Sequence, residues 1–321
     1  MTQPLNYTPK AIEALLSFEC SGAPLTRAGN LYIVEKLRQA EVFVIGEHGQ
    51  LLDRSKPRPE VPGAMLRPAF PVVALEYSAQ TMDWDEGFYT AAKCSKRIAL
   101  AWEWTDDLPS ELAAFLPTAP GPGVVIASVA YYDAIGTWVV VYGAAHLAYD
   151  DAERRAKERP PSPYFDAALA SGRITAKVAN SSGGILTTPI PLSPETITIV
   201  AARHGHGAVT DLISADLMDE VNAYLDLCLA LGCRNVATRK HEAPTHLNRQ
   251  RVKAGKVPLK GFHVLELTGG AEMPGAGGGG HGSPRSHLRR GHIRRLPGER
   301  VTWVNSTIVR GRGFVDKVYA V

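Results

Sequence analysis

The chain has 321 residues, which is enough for one large or two ordinary domains with a sizeable hydrophobic core. Apolar residues make up 45% and charged residues 21%, as in ordinary globular proteins, which excludes a wholly disordered chain. Four cysteines are too few for a disulfide-built scaffold, so we expect reduced thiols and a cytoplasmic protein. The first residues do not resemble a secretory signal, and no apolar run is long enough to cross a membrane.

The net charge of +3 conceals an uneven distribution of charge along the chain. Residues Val236–Val321 contain 16 Lys and Arg against 5 Asp and Glu, a net charge of +11. The preceding residues contain the other 19 basic and 27 acidic side chains, a net charge of −8. An acidic body with a basic C-terminal quarter indicates an anionic partner.

The N-terminal half predicts two helices followed by a series of strands. Thr8–Cys20 has Thr8 as N-cap and Pro9 at the first helical position, and Asn30–Ala40 has apolar residues at helical spacing. Runs of β-branched and aromatic residues predict strands at Glu41–Ile45, Phe70–Tyr77, Arg97–Trp104, Val124–Tyr132 and Thr137–Ala145. The short link Asp133–Gly136 predicts that the last two form an antiparallel hairpin.

The C-terminal half continues with mixed elements. Asp211–Leu231 is the clearest helix because its apolar residues recur at helical intervals and Gly232 follows as a C-cap. The β-branched run Thr196–Ala201 favours a strand, and Leu247–Lys253 favours a short helix that Gly255 would stop. Further strands are predicted at Phe262–Leu267, Val301–Val309 and Val315–Tyr319.

This order of elements predicts an α+β fold with an antiparallel or mixed sheet and flanking helices. We expect an acidic body over residues 1–268, a glycine-rich flexible loop over 269–283, and a basic C-terminal β segment over 284–321 that packs on the body. Eight of the fifteen residues in Gly269–Ser283 are glycine, which is typical of a flexible tether. A phosphate-binding loop is the alternative, but the Lys-Ser/Thr signature or helix start that it needs is missing.

A dense cluster of arginines and histidines follows the tether. Five arginines and two histidines lie between Arg285 and Arg295, and arginine pairs in two-point fashion with phosphate or carboxylate groups. His287 and His292 are the candidate catalytic residues, because histidine transfers protons near neutral pH. The candidate nucleic-acid contacts in this segment are Arg285, Arg289, Arg290, Arg294, Arg295 and Trp303.

A second basic stretch precedes the tether, and Arg249, Arg251 and Lys253 in it are further candidate phosphate contacts. Four interpretations of the basic residues remain open at this stage: salt bridges to the acidic body, contact with nucleic acid, contact with an acidic protein, and catalysis. His204 and His206 would point the same way on a strand, but no third ligand is evident. We therefore expect no metal and no cofactor.

The C-terminal third resembles a family of uncharacterised proteins of tailed phages and prophages. The match spans roughly Asp211–Val321, and its specific part is the HxRRGH core formed by His287, Arg289, Arg290, Gly291 and His292. A type V-A anti-CRISPR family is similar in the same core. Its members lower production of the CRISPR effector nuclease by recognising its emerging N-terminal peptide and promoting loss of the message.

The resemblance implies a regulatory protein of the host-cell cytoplasm that reads a nascent polypeptide, with the Arg/His surface engaging RNA or the ribosome and no membrane partner. Two alternatives stay open: an RNA-cleaving nuclease that uses the Arg/His cluster, and a phage structural or assembly protein. The sequence contains none of the GxGxxG, GxxxxGK[ST] or GxSxG motifs in the required context, which disfavours dinucleotide enzymes, P-loop NTPases and α/β-hydrolases.

Overall fold

The fold is α+β and is built around one mixed sheet of eight strands. The computed structural model describes residues 5–18, 22–52, 58–59, 61–79, 94–116, 118–154, 170, 186–205, 209–210, 213–214, 216–267, 287–289, 292–295, 301–304 and 307–309. Within them the strands of this sheet are β1 Glu41–Val44, β2 Val72–Ser78, β3 Cys94–Glu103, β4 Gly123–Tyr132, β5 Thr137–Ala148, β6 Thr188–Pro191, β7 Val236–His241 and β8 Phe262–Leu267. The predicted α+β class with a mixed sheet and flanking helices is confirmed.

The strand order is β6-β5-β4-β3-β2-β1-β8-β7. Strand β1 pairs in parallel with both β2 and β8, and the other neighbours are antiparallel. The predicted hairpin is confirmed: β4 and β5 are antiparallel, and Gly136 in the link has a positive φ of 64° that favours glycine. One edge strand, β6, contains Pro189 and Pro191, which are compatible with an edge position because they cannot donate ladder hydrogen bonds.

Helices cover both faces of the sheet. In the described part of the chain they are α1 Tyr7–Ser17, α2 Pro24–Gln39, α3 Ser110–Ala113, α4 Asp151–Arg154, α5 Pro194–His204, α6 Met218–Leu231 and α7 Thr245–Lys253. Alternating strand residues divide the core into two layers: α1 and α2 pack on one face, and α6 packs on the other. None of these helices combines the length and apolar character that crossing a bilayer requires.

One predicted element and one predicted cap are wrong: α1 begins at Tyr7, so Thr8 lies inside the helix and is not its N-cap. The run Thr196–Ala201, which favoured a strand, lies inside helix α5. Pro194 at the start and Glu195 in the first turn are helix-start signals that outweigh the β-branched composition. The Glu195 carboxylate also accepts hydrogen bonds from the backbone of Leu25 and Thr26 at 2.8 and 2.9 Å, so α5 supplies the missing cap at the start of α2.

Four short strands follow the main sheet: β9 His287–Arg289, β10 His292–Arg295, β11 Val301–Val304 and β12 Thr307–Val309. They pair as β9 with β12 and β10 with β11, both antiparallel, so the segment folds back on itself as a hairpin. The predicted strand Val301–Val309 corresponds to β11 and β12. The glycine-rich segment 269–283 and the predicted strand Val315–Tyr319 lie outside the described residues.

Candidate functional site: a basic helix and a buried acidic cluster

Helix α7 is held to the body by polar contacts rather than by apolar burial, because none of its nine residues is buried. The Arg251 guanidinium donates to the Val257 carbonyl and to the Glu13 carboxylate of α1, both at 2.7 Å. The Asn248 amide exchanges two hydrogen bonds with the backbone of Leu259, at 2.7 and 2.9 Å. Arg251, a predicted phosphate contact, is therefore an internal anchor in this structure.

The exposed side of this region has three cations that the described residues do not neutralise. Arg249 and Lys253 of α7 and Lys256 just after it are exposed, and no ion pair joins them to a carboxylate of the described chain. We call these three residues the basic surface. Like charges four residues apart on a helix repel one another, so the interaction between Arg249 and Lys253 does not stabilise α7. Their charge is available to an anion from outside.

Cations on the neighbouring strand differ, because each has a carboxylate partner. On β7, Arg239 pairs with Glu266 at 3.1 Å and Lys240 pairs with Glu41 at 3.2 Å. Lys260 donates to the carbonyls of Arg38 and Ala40, both at 2.7 Å, and burial lowers its pKa. These cations are bound by acceptors of the body, whereas those of the basic surface have no carboxylate partner among the described residues.

The C-terminal hairpin pairs the two strands that contain the predicted Arg/His residues with β12 and β11. His287 and Arg289 oppose Val309 and Thr307, and further along the same hairpin His292, Ile293, Arg294 and Arg295 oppose Val304, Trp303, Thr302 and Val301. The Thr302 hydroxyl donates to the side-chain oxygen of Asn235 at 3.0 Å, one residue before β7. Arg285 and Arg290 lie outside the described residues, as does His206.

In chain order the two regions flank β7. The described contact of the hairpin with the body is at Asn235, one residue before this strand, and α7 begins four residues after the last residue of the strand. The six residues of β7 span about 20 Å.

A buried acidic cluster lies on the face of the sheet that α6 covers, and the sequence did not reveal it. Glu220 of α6 has 0% side-chain exposure and accepts hydrogen bonds from Tyr77 of β2 at 3.0 Å and Ser128 of β4 at 2.9 Å. Arg97 of β3 donates to both of its oxygens, at 3.0 and 3.2 Å. Four elements thus meet at one carboxylate.

Burial dominates the electrostatics of this cluster. Burial raises the pKa of Glu220, and the Arg97 charge acts in the opposite direction. Burial also raises the pKa of the Tyr77 hydroxyl well above its usual value. The Arg97 side chain is 21% exposed and also faces Asp219 at 3.8 Å. Since Glu220 has three side-chain donors, the arrangement is that of a structural polar network which fixes α6 against the sheet.

The remaining candidates for chemistry have simple structural roles. Cys94, Cys228 and Cys233 are buried and form no disulfide with one another, and burial raises the pKa of Cys228 to about 12 and of Cys233 to about 11. Thiols with raised pKa values are poor nucleophiles. No group of three or more potential ligands in the described part of the chain is arranged to hold a metal ion.

Comparison of the chain with protein-family models, with curated proteins and with solved structures finds no match. The residues and their geometry are therefore the basis for a proposed function.

Proposed function

We propose that the chain is an anti-CRISPR-like regulatory protein of phage origin that binds RNA through the basic surface and lowers production of a protein whose nascent polypeptide it recognises. The observation that supports RNA binding is the contrast in pairing. Arg249, Lys253 and Lys256 have no carboxylate partner among the described residues, whereas Arg239, Lys240 and Arg251 beside them each have one.

The charge distribution favours a polyanion over a small anion. Phosphate contacts release condensed counterions, and the gain grows with the number of phosphates that are neutralised. We expect one RNA strand to contact both the basic surface and the C-terminal hairpin, because the hairpin contacts the body at Asn235, just before β7, and α7 follows β7 in the chain. The acidic body repels RNA elsewhere and restricts contact to these two regions.

The recognition of a polypeptide is the second part of the proposal, and its support is the resemblance at His287–His292 to the type V-A anti-CRISPR family. On this proposal the RNA lies on or beside a translating ribosome, and the protein acts where message and emerging peptide are close together.

Fluorescence anisotropy with a labelled single-stranded RNA of mixed sequence tests RNA binding directly. Two double variants remove the same net charge: Arg249→Ala with Lys253→Ala from the basic surface, and Arg239→Ala with Lys240→Ala from the paired cations. We expect the first variant to weaken binding about tenfold. It should also reduce the magnitude of the slope of log K against log salt by about 1.4, because each of the two lost phosphate contacts accounts for about 0.7. We expect the second to change affinity less than about twofold.

Equal losses in the two variants would show that only net charge matters, and no loss in the first would reject the basic surface as the RNA contact. The same samples report on the nuclease alternative. If the RNA is shortened, and if His287→Ala with His292→Ala stops the shortening, then cleavage replaces binding as the function of the Arg/His segment.

A further inference from the structure

A cleft opens on the α6 side of the sheet, away from the basic surface. It lies between the C-terminal half of α6, the short helical turn Gly63–Leu66 and the first residues of β2. Its volume is about 230 Å³ and its walls are mainly apolar, with Met65, Val73, Leu227 and Leu231 among them. A cavity of about 150 Å³ with such a lining holds benzene, so this cleft has room for a somewhat larger molecule.

Apart from Arg67, the described residues that line the cleft are uncharged. Cys228 lines it, and burial raises the pKa of this thiol to about 12, so the group is a neutral, weakly polar SH at physiological pH. The Tyr224 hydroxyl already donates to the Leu66 carbonyl at 2.7 Å. A ligand that enters here gains from apolar contact and needs no polar group at its inner end.

Among the described residues of the lining, the cation is Arg67, whose side chain is 63% exposed. Its guanidinium lies over the Tyr149 ring, 4.9 Å from the centroid, and donates to Glu103 at 3.0 Å. Glu103 is 44% exposed, and exposed ion pairs of this kind contribute little. A guanidinium has five N–H donors, so Arg67 can bind a second carboxylate while it keeps this contact.

We propose that this cleft binds a small free carboxylate with an apolar body, such as a medium-chain aliphatic acid, with its chain against Leu227 and Leu231 and its carboxylate on Arg67. The size and lining of the cleft select the apolar body, and the Arg67 cation selects the charge. A ligand of about ten heavy atoms at ordinary ligand efficiency gives a Kd on the order of 0.1–1 mM.

The test uses the full chain with carbon-13 methyl-labelled methionine, octanoate as the probe and octanol as its uncharged counterpart. Met65 lines the cleft, whereas Met218 is at the other end of α6, so their methyl signals separate binding in the cleft from binding elsewhere. We expect octanoate to shift the Met65 signal with saturation and to leave the Met218 signal unchanged. Failure to shift Met65 at millimolar octanoate would overturn the proposal.

Three variants assign the parts of the site. Arg67→Gln is expected to weaken octanoate about tenfold and octanol less than about twofold, since only the carboxylate loses a charged hydrogen bond. Glu103→Gln is expected to strengthen octanoate binding, because it replaces the competing carboxylate charge beside Arg67 with a neutral amide. Equal effects of Arg67→Gln on both probes would reject carboxylate recognition.

Ala69 is exposed at the rim, so Ala69→Trp fills the cleft without disturbing the core. We expect it to weaken both probes at least about tenfold, whereas Ala64→Trp, at an exposed position outside the lining, is the matched control with no effect. Unchanged binding in Ala69→Trp would contradict the site. If that variant does not fold, Arg67→Gln at its exposed position still decides the outcome.

Discussion

Arg97 and Arg249 show two different uses of arginine in one molecule. Arg97 is largely buried, donates to both oxygens of Glu220, and shares that carboxylate with Tyr77 and Ser128. Arg249 is exposed on a helix without a buried residue and has no carboxylate partner among the described residues. The first arginine completes an internal network, and the second presents its charge to solvent.

The comparison separates arginines that stabilise the fold from those available to a ligand. A buried charge is costly unless it is paired, so removing the partner of Arg97 should affect folding. An exposed charge contributes little to stability, so removing Arg249 should affect only binding. The predictions below test this division, beginning with the largest expected effect.

Glu220→Ala leaves Arg97, Tyr77 and Ser128 without their common acceptor. We expect a loss of about 3–5 kcal/mol in the free energy of unfolding, measured by urea denaturation, because the largely buried Arg97 then has only the more distant, exposed Asp219 as a charge partner, and the buried Tyr77 and Ser128 hydroxyls lose their acceptor. Asp219→Ala is the matched control, since Asp219 is the adjacent acid and is 62% exposed. It should change stability by less than about 0.5 kcal/mol. Similar values for the two variants would show that the buried network does not hold α6 in place.

Glu76 tests a buried carboxylate without an arginine partner at hydrogen-bond distance among the described residues. It accepts the backbone N–H of Thr8 at 2.7 Å at the start of α1, and burial raises its pKa above 4.5. In the unfolded chain Glu76 ionises near pH 4.5, whereas in the folded protein it holds its proton to higher pH. Its contribution to stability is therefore present below pH 4.5 and is lost as the pH rises through the folded pKa.

Glu76→Gln keeps the acceptor for Thr8 and removes the titration. We expect the wild type and this variant to be equally stable below pH 4.5, and the wild type to become less stable than the variant as the pH rises to 7. Thermal unfolding of both proteins across this range measures the difference. A gap that is constant with pH would contradict the raised pKa.

Arg251 and Arg249 lie two residues apart on α7, and their substitution is expected to give the smallest of these differences in stability. Arg251→Ala removes the bond to Glu13 and the bond to the Val257 carbonyl, so we expect a loss of about 1–2 kcal/mol. Arg249→Ala should stay within about 0.5 kcal/mol of the wild type. Chemical denaturation of the two variants measures their free energies of unfolding. A larger loss of stability in Arg249→Ala than in Arg251→Ala would show that Arg251 does not anchor α7.

Local pattern was sufficient to predict most strands and the α+β class. Residues Val124–Tyr132 and Thr137–Ala145 form the predicted hairpin because their link is short and the pairing is local. The parallel pairing of β1 with β8 could not be predicted in this way, because its partners lie about 220 residues apart. Strand β7, at the sheet edge, has a charged sequence that gave no strand signal.

The site was predicted only in part. Charge density located Arg249 and Lys253, but sequence could not distinguish them from Arg251, whose partner Glu13 is 238 positions away. Glu220 was hidden inside a helix recognised by its apolar residues. It lies on the same buried side of the helix as Tyr224 and Leu217. An acidic residue at helical spacing from these apolar residues is the signal that could have revealed the cluster.

Ultraviolet cross-linking of the full chain to RNA in expressing cells, followed by mass spectrometry of the nucleotide-bearing peptides, tests the central proposal most directly. The account predicts adducts on peptides from residues 245–256, lost in the variant that carries Arg249→Ala with Lys253→Ala and kept in the variant that carries Arg239→Ala with Lys240→Ala. Adducts that survive the first variant, or their absence from this segment while other peptides are cross-linked, would contradict it.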